Sequence, residues 1–280
     1  MSVADLLAPE ASTCLTLAVY ALAGALGLAG MLARRVSLRR AACRVAIAAF
    51  ACQTLLLALG AHAMHPGGLT LGAYLQMLAW FVLLCGLGLW ARFRQEAPLI
   101  FATLLGLILF LMSTPWLEEA VPLPPSLRGP FFALHIGALF LSLGLLALAF
   151  AAGALFLFLE RRIKSKQRMG GIWQDMPALA VLDKINAICA LTAFPLYTVG
   201  IVAGLFWARP VFGGTLTGDP KEVVSIFVWL LLAVLFHNRL ANDWKGRKPA
   251  RLAVFIFLLS VFSLVVVNVF METHHAFLRG

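Results

Sequence analysis

The six histidines are the side chains of this sequence with the most distinctive chemistry. A neutral imidazole nitrogen is a good ligand for iron, and two imidazoles on opposite faces of a flat macrocycle form a bis-His haem site. Such a site takes its ligands from different helices and covers the ring with apolar and aromatic side chains. The histidines are His62, His65, His135, His237, His274 and His275.

The positions of the histidines along the chain restrict which of them can pair. His135 lies inside a long apolar stretch, about 7 Å below its start if the rise is about 1.5 Å per residue. His274 and His275 follow the last apolar stretch, on the same side as His135. His135 and one of these two therefore meet the minimum geometry of a bis-His site, whereas His237 lies at the other end of the helices. An interfacial polar residue is the alternative interpretation of each histidine.

The elements that must position these histidines are apolar helices. Of the 280 residues, 62% are hydrophobic and 12% are charged, and the mean hydropathy is +0.95. A soluble domain has about 25% charged residues, so this composition excludes one. We predict an all-α polytopic membrane bundle of about eight transmembrane helices, with residues 1–280 as a single integral membrane domain. The apolar stretches are Thr13–Ala33, Val45–Met64, Leu71–Ala91, Pro98–Thr114, Phe131–Leu159, Ile185–Ala208, Val223–Phe236 and Leu252–Phe270.

The basic residues predict the orientation of the bundle. Of the 22 Lys and Arg residues, all but Arg128, Arg209, Lys221 and Arg279 fall in four alternate loops, at 34–44, 92–97, 160–184 and 239–251. Loops rich in Lys and Arg stay in the cytoplasm. The rule places both termini outside, on the periplasmic side of a bacterial inner membrane. The net charge of +10 is therefore a topology pattern, and nucleic-acid binding is excluded as an interpretation.

The predicted outer loop from Arg209 to Glu222 reads RPVFGGTLTGDPKE. Asp219 precedes an apolar run, with Pro220 at the first helical position and Glu222 three residues after the acid. This order is typical of a helix N-cap. The five cysteines form neither CxxC nor CxxCH, so the chain has no site for covalent attachment of haem.

The second half of the chain resembles the system II cytochrome c assembly proteins of the CcsA/ResC type. The resemblance begins in PALAVLDKINAICALTAFPLYTVGIVAGLFWA, from Pro177, and continues through GDPKE and HNRL. Two histidine-bearing segments are also similar, LHIGALFLSLG from Leu134 and NVFMETHHAF from Asn268. The similar region covers residues 70–278 approximately.

The resemblance implies a function in handling haem and in delivering it to apocytochrome c. It matches His135 and His275 to the two outer axial ligands of the haem iron, with His274 as the competitor of His275. It matches His237 to an inner haem-transit site, whose other histidine comes from a membrane subunit of the ResB/CcsB kind. The implied cofactor is a non-covalent haem b.

One departure from the family pattern concerns the tryptophans that precede the DPKE element in the motif called WWD. This sequence has Phe212, Leu216 and Gly218 at those positions, while Asp219, Pro220, Lys221 and Glu222 are kept. The pattern is closest to the HemX-like and YpjD-like members. It leaves open a second hypothesis, a non-catalytic accessory protein that keeps the fold and has lost haem presentation.

A solute transporter is the least favoured interpretation of the sequence, since no repeated halves or paired broken helices are visible. No hydrolytic constellation is visible, so an enzymatic role on its own is not assigned.

Overall fold

The computed structural model describes residues 9–63, 71–116, 130–167, 170–212 and 219–263. These residues form eight α-helices and no strand, which confirms the predicted all-α membrane bundle. Two short 3₁₀ segments, Thr114–Trp116 and Gly171–Asp175, follow α4 and α5. The helices are α1 Pro9–Leu32, α2 Val36–Ala63, α3 Leu71–Phe93, α4 Glu96–Ser113, α5 Pro130–Lys164, α6 Leu179–Phe212, α7 Pro220–Leu240 and α8 Arg247–Phe262.

Seven of these helices, α1 to α7, are long and apolar enough to cross a membrane. Many large apolar side chains on them face outward, as Leu22 on α1 and Leu230 on α7 do. A lipid-facing helix surface is apolar, because hydrocarbon replaces water as the solvent. The described part of α8 has 16 residues, and the predicted eighth span continues beyond it. The periplasmic placement of the termini stays a prediction.

The helices group into two compact units. The first contains α1 to α4 together with the segment 167–177, and the second contains α5 to α8. The connection between α5 and α6 therefore belongs to the first unit, although both helices that flank it belong to the second.

The first unit packs on small residues and on a buried polar contact. A Cβ at Gly86 of α3 would lie 2.4 Å from the Cβ of Ala102 of α4, so only glycine permits this approach of the two helices. The buried hydroxyl of Tyr20 in α1 donates to the side-chain carbonyl of Gln53 in α2. The amide of Gln53 in turn donates to the backbone carbonyl of Gln76 in α3, at 2.8 Å. These bonds fix the mutual rotation of three helices, because an unsatisfied polar group is costly in hydrocarbon.

A small ionic cluster holds the 3₁₀ segment Gly171–Asp175 within the first unit. The Oδ2 of Asp175 lies 3.0 Å from the Nε of Arg34 and 3.7 Å from the Nη1 of Arg39. Arg39 also pairs with Glu96 of α4, at 2.9 Å. The hydrogen bond from Arg34, with the positive charges of both arginines, holds the pKa of Asp175 below its usual range.

The second unit is built on an antiparallel pair, α5 and α6. Three side-chain to backbone hydrogen bonds join them, and successive bonds are seven residues apart on each helix. Seven residues are about two helical turns, so the bonded residues lie on one stripe of each helix. The pairs are His135 with Gly200 at 2.7 Å, Ser142 with Ala193 at 2.9 Å and Asn186 with Ala149 at 2.8 Å. The register of this helix pair is therefore defined from His135 at one end to Asn186 near the other.

At the Asn186 end of the second unit lies a buried ion-pair cluster centred on Arg239. The Nη1 of Arg239 donates to Asp183 Oδ1 at 3.0 Å and to the Trp244 carbonyl at 2.9 Å, and its Nη2 donates to Asn186 Oδ1 at 2.6 Å. The backbone N–H of Gly246 also donates to Asp183 Oδ1, at 2.9 Å. This cluster ties α6, α7 and the α7–α8 connection together.

The predicted outer loop is shorter than its sequence suggested. Helix α6 continues through Phe212, and α7 begins at Pro220. The prediction that Phe212 lies in a loop is therefore wrong, since its backbone closes the last turn of α6. Pro210 does not end the helix, because near a helix end the loss of one backbone hydrogen bond is tolerated.

Candidate functional site

His135 occupies the second turn of α5 and is oriented by a backbone carbonyl of α6. Its Nδ1 lies 2.7 Å from the carbonyl oxygen of Gly200. A carbonyl oxygen can only accept a hydrogen bond, so Nδ1 carries the proton. In the neutral ring the lone pair then belongs to Nε2. Histidines that ligate metals show this arrangement, in which one ring nitrogen donates to a backbone carbonyl and the other faces the metal.

Gly204 of α6 supplies the space that the imidazole occupies. A Cβ at Gly204 would lie 2.6 Å from Nδ1 and 2.8 Å from Cε1 of His135. One turn earlier, the atoms nearest to a Cβ at Gly200 would belong to Leu139, at 2.7 Å. The two glycines thus have different neighbours. Gly200 permits close packing of α5 and α6, whereas Gly204 leaves the space in which the ring of His135 packs against α6.

An exposed aromatic pair lies beside this histidine. Phe131 precedes His135 by four residues, so it lies one turn away on the same face of α5. Its ring stacks on that of Phe206 of α6, with centroids 5.7 Å apart. Phe131 is 50% exposed and Phe206 is 64% exposed. The pair therefore offers apolar ring surface close to an oriented imidazole.

The first turn of α7 lies at the same end of the second unit. The hydroxyl of Tyr197 on α6 donates to the carbonyl of Ser225 on α7 at 3.4 Å, and the indole of Trp229 donates to Thr198 at 3.0 Å. Helix α7 runs antiparallel to α6. Lys221 lies one turn before Ser225 on α7, which places it beside the turn of α6 that runs from Gly200 to Gly204. Lys221 interacts electrostatically with His135. The structure thus brings together His135 and the DPKE element.

Asp219 caps α7, which confirms the N-cap predicted from the sequence. Its Oδ1 accepts from the backbone N–H of Lys221 at 2.8 Å, with Pro220 in the first turn of the helix and Glu222 as its acid. The carboxylate also neutralises the positive end of the helix dipole. The cap therefore fixes where the first turn of α7 begins.

Replacing Asp219 by Ala is expected to lower the free energy of unfolding by about 1 kcal/mol, the usual cost of losing an N-cap. Denaturation by SDS in mixed micelles, followed by circular dichroism, measures this loss. Asp219→Asn keeps an acceptor oxygen and is expected to retain most of the stability. An unchanged midpoint in Asp219→Ala would mean that the cap contributes nothing.

The other predicted site residues are separated from His135 or lie outside the described residues. His237 is in the last turn of α7, at the opposite end of the unit, and its side chain is exposed. The structure does not bring His237 and His135 together. Phe212 ends α6, and its side chain is outside the described part of the chain. His274 and His275 also fall outside the described residues.

The side chains around His135 fit a haem group. One ring nitrogen of His135 bonds the backbone, which is the arrangement that orients metal-ligating histidines. The exposed rings of Phe131 and Phe206 match the flat apolar macrocycle. Residues that sequence reasoning did not assign to the site are Gly204, Phe131 and Phe206. The spacing of four residues from Phe131 to His135 is a signal that could have placed Phe131 beside the histidine, whereas the contacts of Gly204 and Phe206 depend on the packing of α5 against α6.

The fold and the site define a class: a polytopic helical membrane protein whose second unit holds an imidazole hydrogen-bonded to a backbone carbonyl. The sequence profile of the family described as Cytochrome C assembly protein matches residues 69–275. The chain therefore belongs to the cytochrome c assembly protein family.

Several relatives are named cytochrome c biogenesis protein CcsA. That of Guillardia theta is 26% identical over 253 residues, covering 81% of this chain and 82% of the relative. That of Chlamydomonas reinhardtii is 29% identical over 161 residues, covering 58% of this chain and 44% of the relative. A protein from Synechocystis is 27% identical over 211 residues, covering 58% of this chain and 63% of the relative. The match thus spans less than two thirds of the length of the last two.

Proposed function

We propose that this chain is a haem-handling protein of cytochrome c assembly that binds haem b, without a covalent bond, at the outer face of the membrane. His135 supplies one axial ligand, and His275 supplies the other, with His274 as its competitor. The observation that carries the proposal is the hydrogen bond between His135 Nδ1 and the Gly200 carbonyl, at 2.7 Å. That bond fixes the tautomer in which Nε2 is the metal-binding nitrogen.

Each described residue of the site has a part in this proposal. Gly204 gives the ring of His135 its place, and the aromatic pair Phe131–Phe206 packs against the apolar macrocycle. Lys221 adds a positive charge that interacts electrostatically with His135. The protein would bind haem, orient it and limit its contact with water, and apocytochrome c would receive the whole haem group.

His237 belongs to a second site in the same proposal. It is exposed on the last turn of α7, where a ligand from another subunit can reach it. We assign to this end the inner haem-transit site, with a membrane subunit of the ResB/CcsB kind as the partner. The protein then resides in the inner membrane of a bacterium, and its further partners are the lipid bilayer and apocytochrome c.

A second candidate function rests on the loop that precedes α7. Phe212, Leu216 and Gly218 stand where the resemblance leads one to expect tryptophans. Stacked indoles would present a large aromatic face to haem. Without them, the chain is an accessory protein of the HemX-like or YpjD-like kind that stabilises another membrane protein and does not present haem.

A measurement of c-type cytochrome maturation distinguishes the haem-handling function from the accessory function. In cells from which the gene has been deleted, covalently bound haem on c-type cytochromes is measured by peroxidase staining after denaturing electrophoresis. We expect the unaltered chain and His62→Ala to restore the signal, and His135→Ala to restore less than a tenth of it. Equal restoration by His135→Ala would contradict haem handling and would favour the accessory function.

A further inference from the structure

We propose that Gly204 is a positioning residue that sets the reduction potential of the haem iron through His135. This inference rests on the proposed haem site. Glycine at position 204 lets the imidazole lie against α6 with its Nδ1–H on the carbonyl of Gly200. The hydrogen bond makes the ring a stronger electron donor, and a stronger donor stabilises ferric over ferrous iron.

The geometry makes the hydrogen bond depend on the absence of one methyl group. A Cβ at Gly204 would lie 2.6 Å from Nδ1, 2.8 Å from Cε1 and 3.5 Å from Cγ of His135. The first two distances are too short for a Cβ and the third is an ordinary contact, so the added methyl group would clash with the Nδ1–Cε1 edge of the ring. The imidazole would have to move away from α6, and the 2.7 Å contact with the Gly200 oxygen would open.

The second glycine of this turn has a different nearest neighbour. The three atoms nearest to a Cβ at Gly200 would all belong to Leu139, with Cγ and Cδ2 at 2.7 Å and the backbone nitrogen at 3.3 Å. A substitution at Gly200 would therefore push α5 away from the residue whose carbonyl His135 bonds. Crowding at Gly204 acts on the ring itself and leaves the acceptor residue unaltered, so Gly204 is the position that tests the ligand.

The midpoint potential of the bound haem measures this role without reference to activity. We compare the purified full-length holoprotein with Gly204→Ala and Gly137→Ala, in detergent, by spectroelectrochemistry. Gly137 lies two residues from His135, and a Cβ there meets nothing within 4 Å. We expect Gly204→Ala to shift the ferric–ferrous equilibrium about tenfold toward ferrous iron, ~59 mV for one electron. Gly137→Ala is expected to change it less than twofold.

A complementary measurement does not depend on the folding of Gly204→Ala. In His135→Gly, added imidazole can ligate the iron and donate its second N–H to Gly200, whereas 1-methylimidazole can ligate and cannot donate. We expect a lower midpoint potential with imidazole than with 1-methylimidazole, by more than the same two ligands show on haem free in detergent. Equal differences in the two settings would overturn the inference.

The outcomes also separate this inference from the function on which it rests. A purified protein without haem, or a low-spin haem spectrum that does not depend on His135, would contradict the proposed function itself. A normal haem spectrum with an unshifted potential in Gly204→Ala would overturn the role of Gly204 alone. An equal shift in Gly137→Ala would assign the effect to a general disturbance of α5, and would also overturn it.

Discussion

Replacing Arg239 by Leu is expected to lower the free energy of unfolding by about 3–5 kcal/mol, the usual cost of removing one partner from a buried ion pair. The side chain of Arg239 is only 3% exposed, and that of its partner Asp183 is 17% exposed. The substitution would leave a carboxylate and the amide of Asn186 without their main donor. Both groups lie on α6, three residues apart, so one helix face would lose its connection to α7.

A surface ion pair at the same end of the unit provides the control for Arg239. Lys245 and Asp243 pair at 2.6 Å, but their side chains are 68% and 77% exposed. Such pairs contribute about 0–1 kcal/mol. Denaturation by SDS in mixed micelles should therefore show a large loss for Arg239→Leu and almost none for Lys245→Ala. Similar midpoints for the two variants would contradict the assignment of Arg239 as the centre of the cluster.

Replacing His135 by Ala is expected to convert six-coordinate low-spin haem into a five-coordinate form, and to weaken haem retention at least tenfold. The physical reason is the loss of the proposed ligand, an imidazole that a hydrogen bond to the Gly200 carbonyl of α6 orients. Absorbance of the purified variant through the Soret region measures both effects. His62→Ala, which removes a histidine from α2 in the first unit, is the matched control and should leave the spectrum unchanged. A low-spin spectrum in His135→Ala would remove His135 from the site.

The second ligand can be identified by the same measurement. His274→Ala and His275→Ala are made separately, because the two residues are adjacent and the resemblance favours His275. We expect the high-spin conversion in His275→Ala and an unchanged spectrum in His274→Ala. The reverse result would exchange their roles and keep the bis-His site.

Local patterns predicted the parts of this molecule that depend on neighbouring residues in the chain. The apolar stretches predicted the helices, and the order Asp219, Pro220, Glu222 predicted the start of α7, since a cap needs only the residues of one turn. The same local patterns placed Phe212 in the outer loop, which is wrong, because they do not show where a helix ends when no cap marks its end. The predicted apolar stretch ended at Ala208, whereas helix α6 continues past Pro210 to Phe212.

The interior of the site depends on residues distant in the chain, and no local pattern reports it. His135 and Gly204 are 69 residues apart, and their contact follows from the register of α5 against α6. Arg239 was counted with the basic residues that orient the bundle. In the structure Arg239 is buried, because it donates to two acceptors on one face of α6, the side chains of Asp183 and Asn186. The pattern of charges along the chain predicts on which side of the membrane Arg239 lies, but it does not predict that Asp183 is its ion-pair partner.

The central claim is that this protein binds haem between two histidines, and the absorbance spectrum of the purified chain tests it most directly. Protein purified from cells that make ample haem should show the Soret band of six-coordinate low-spin haem. Replacing both His135 and His275 by Ala should abolish that band. A spectrum without haem from the unaltered protein would contradict the claim and leave the accessory function as the better account.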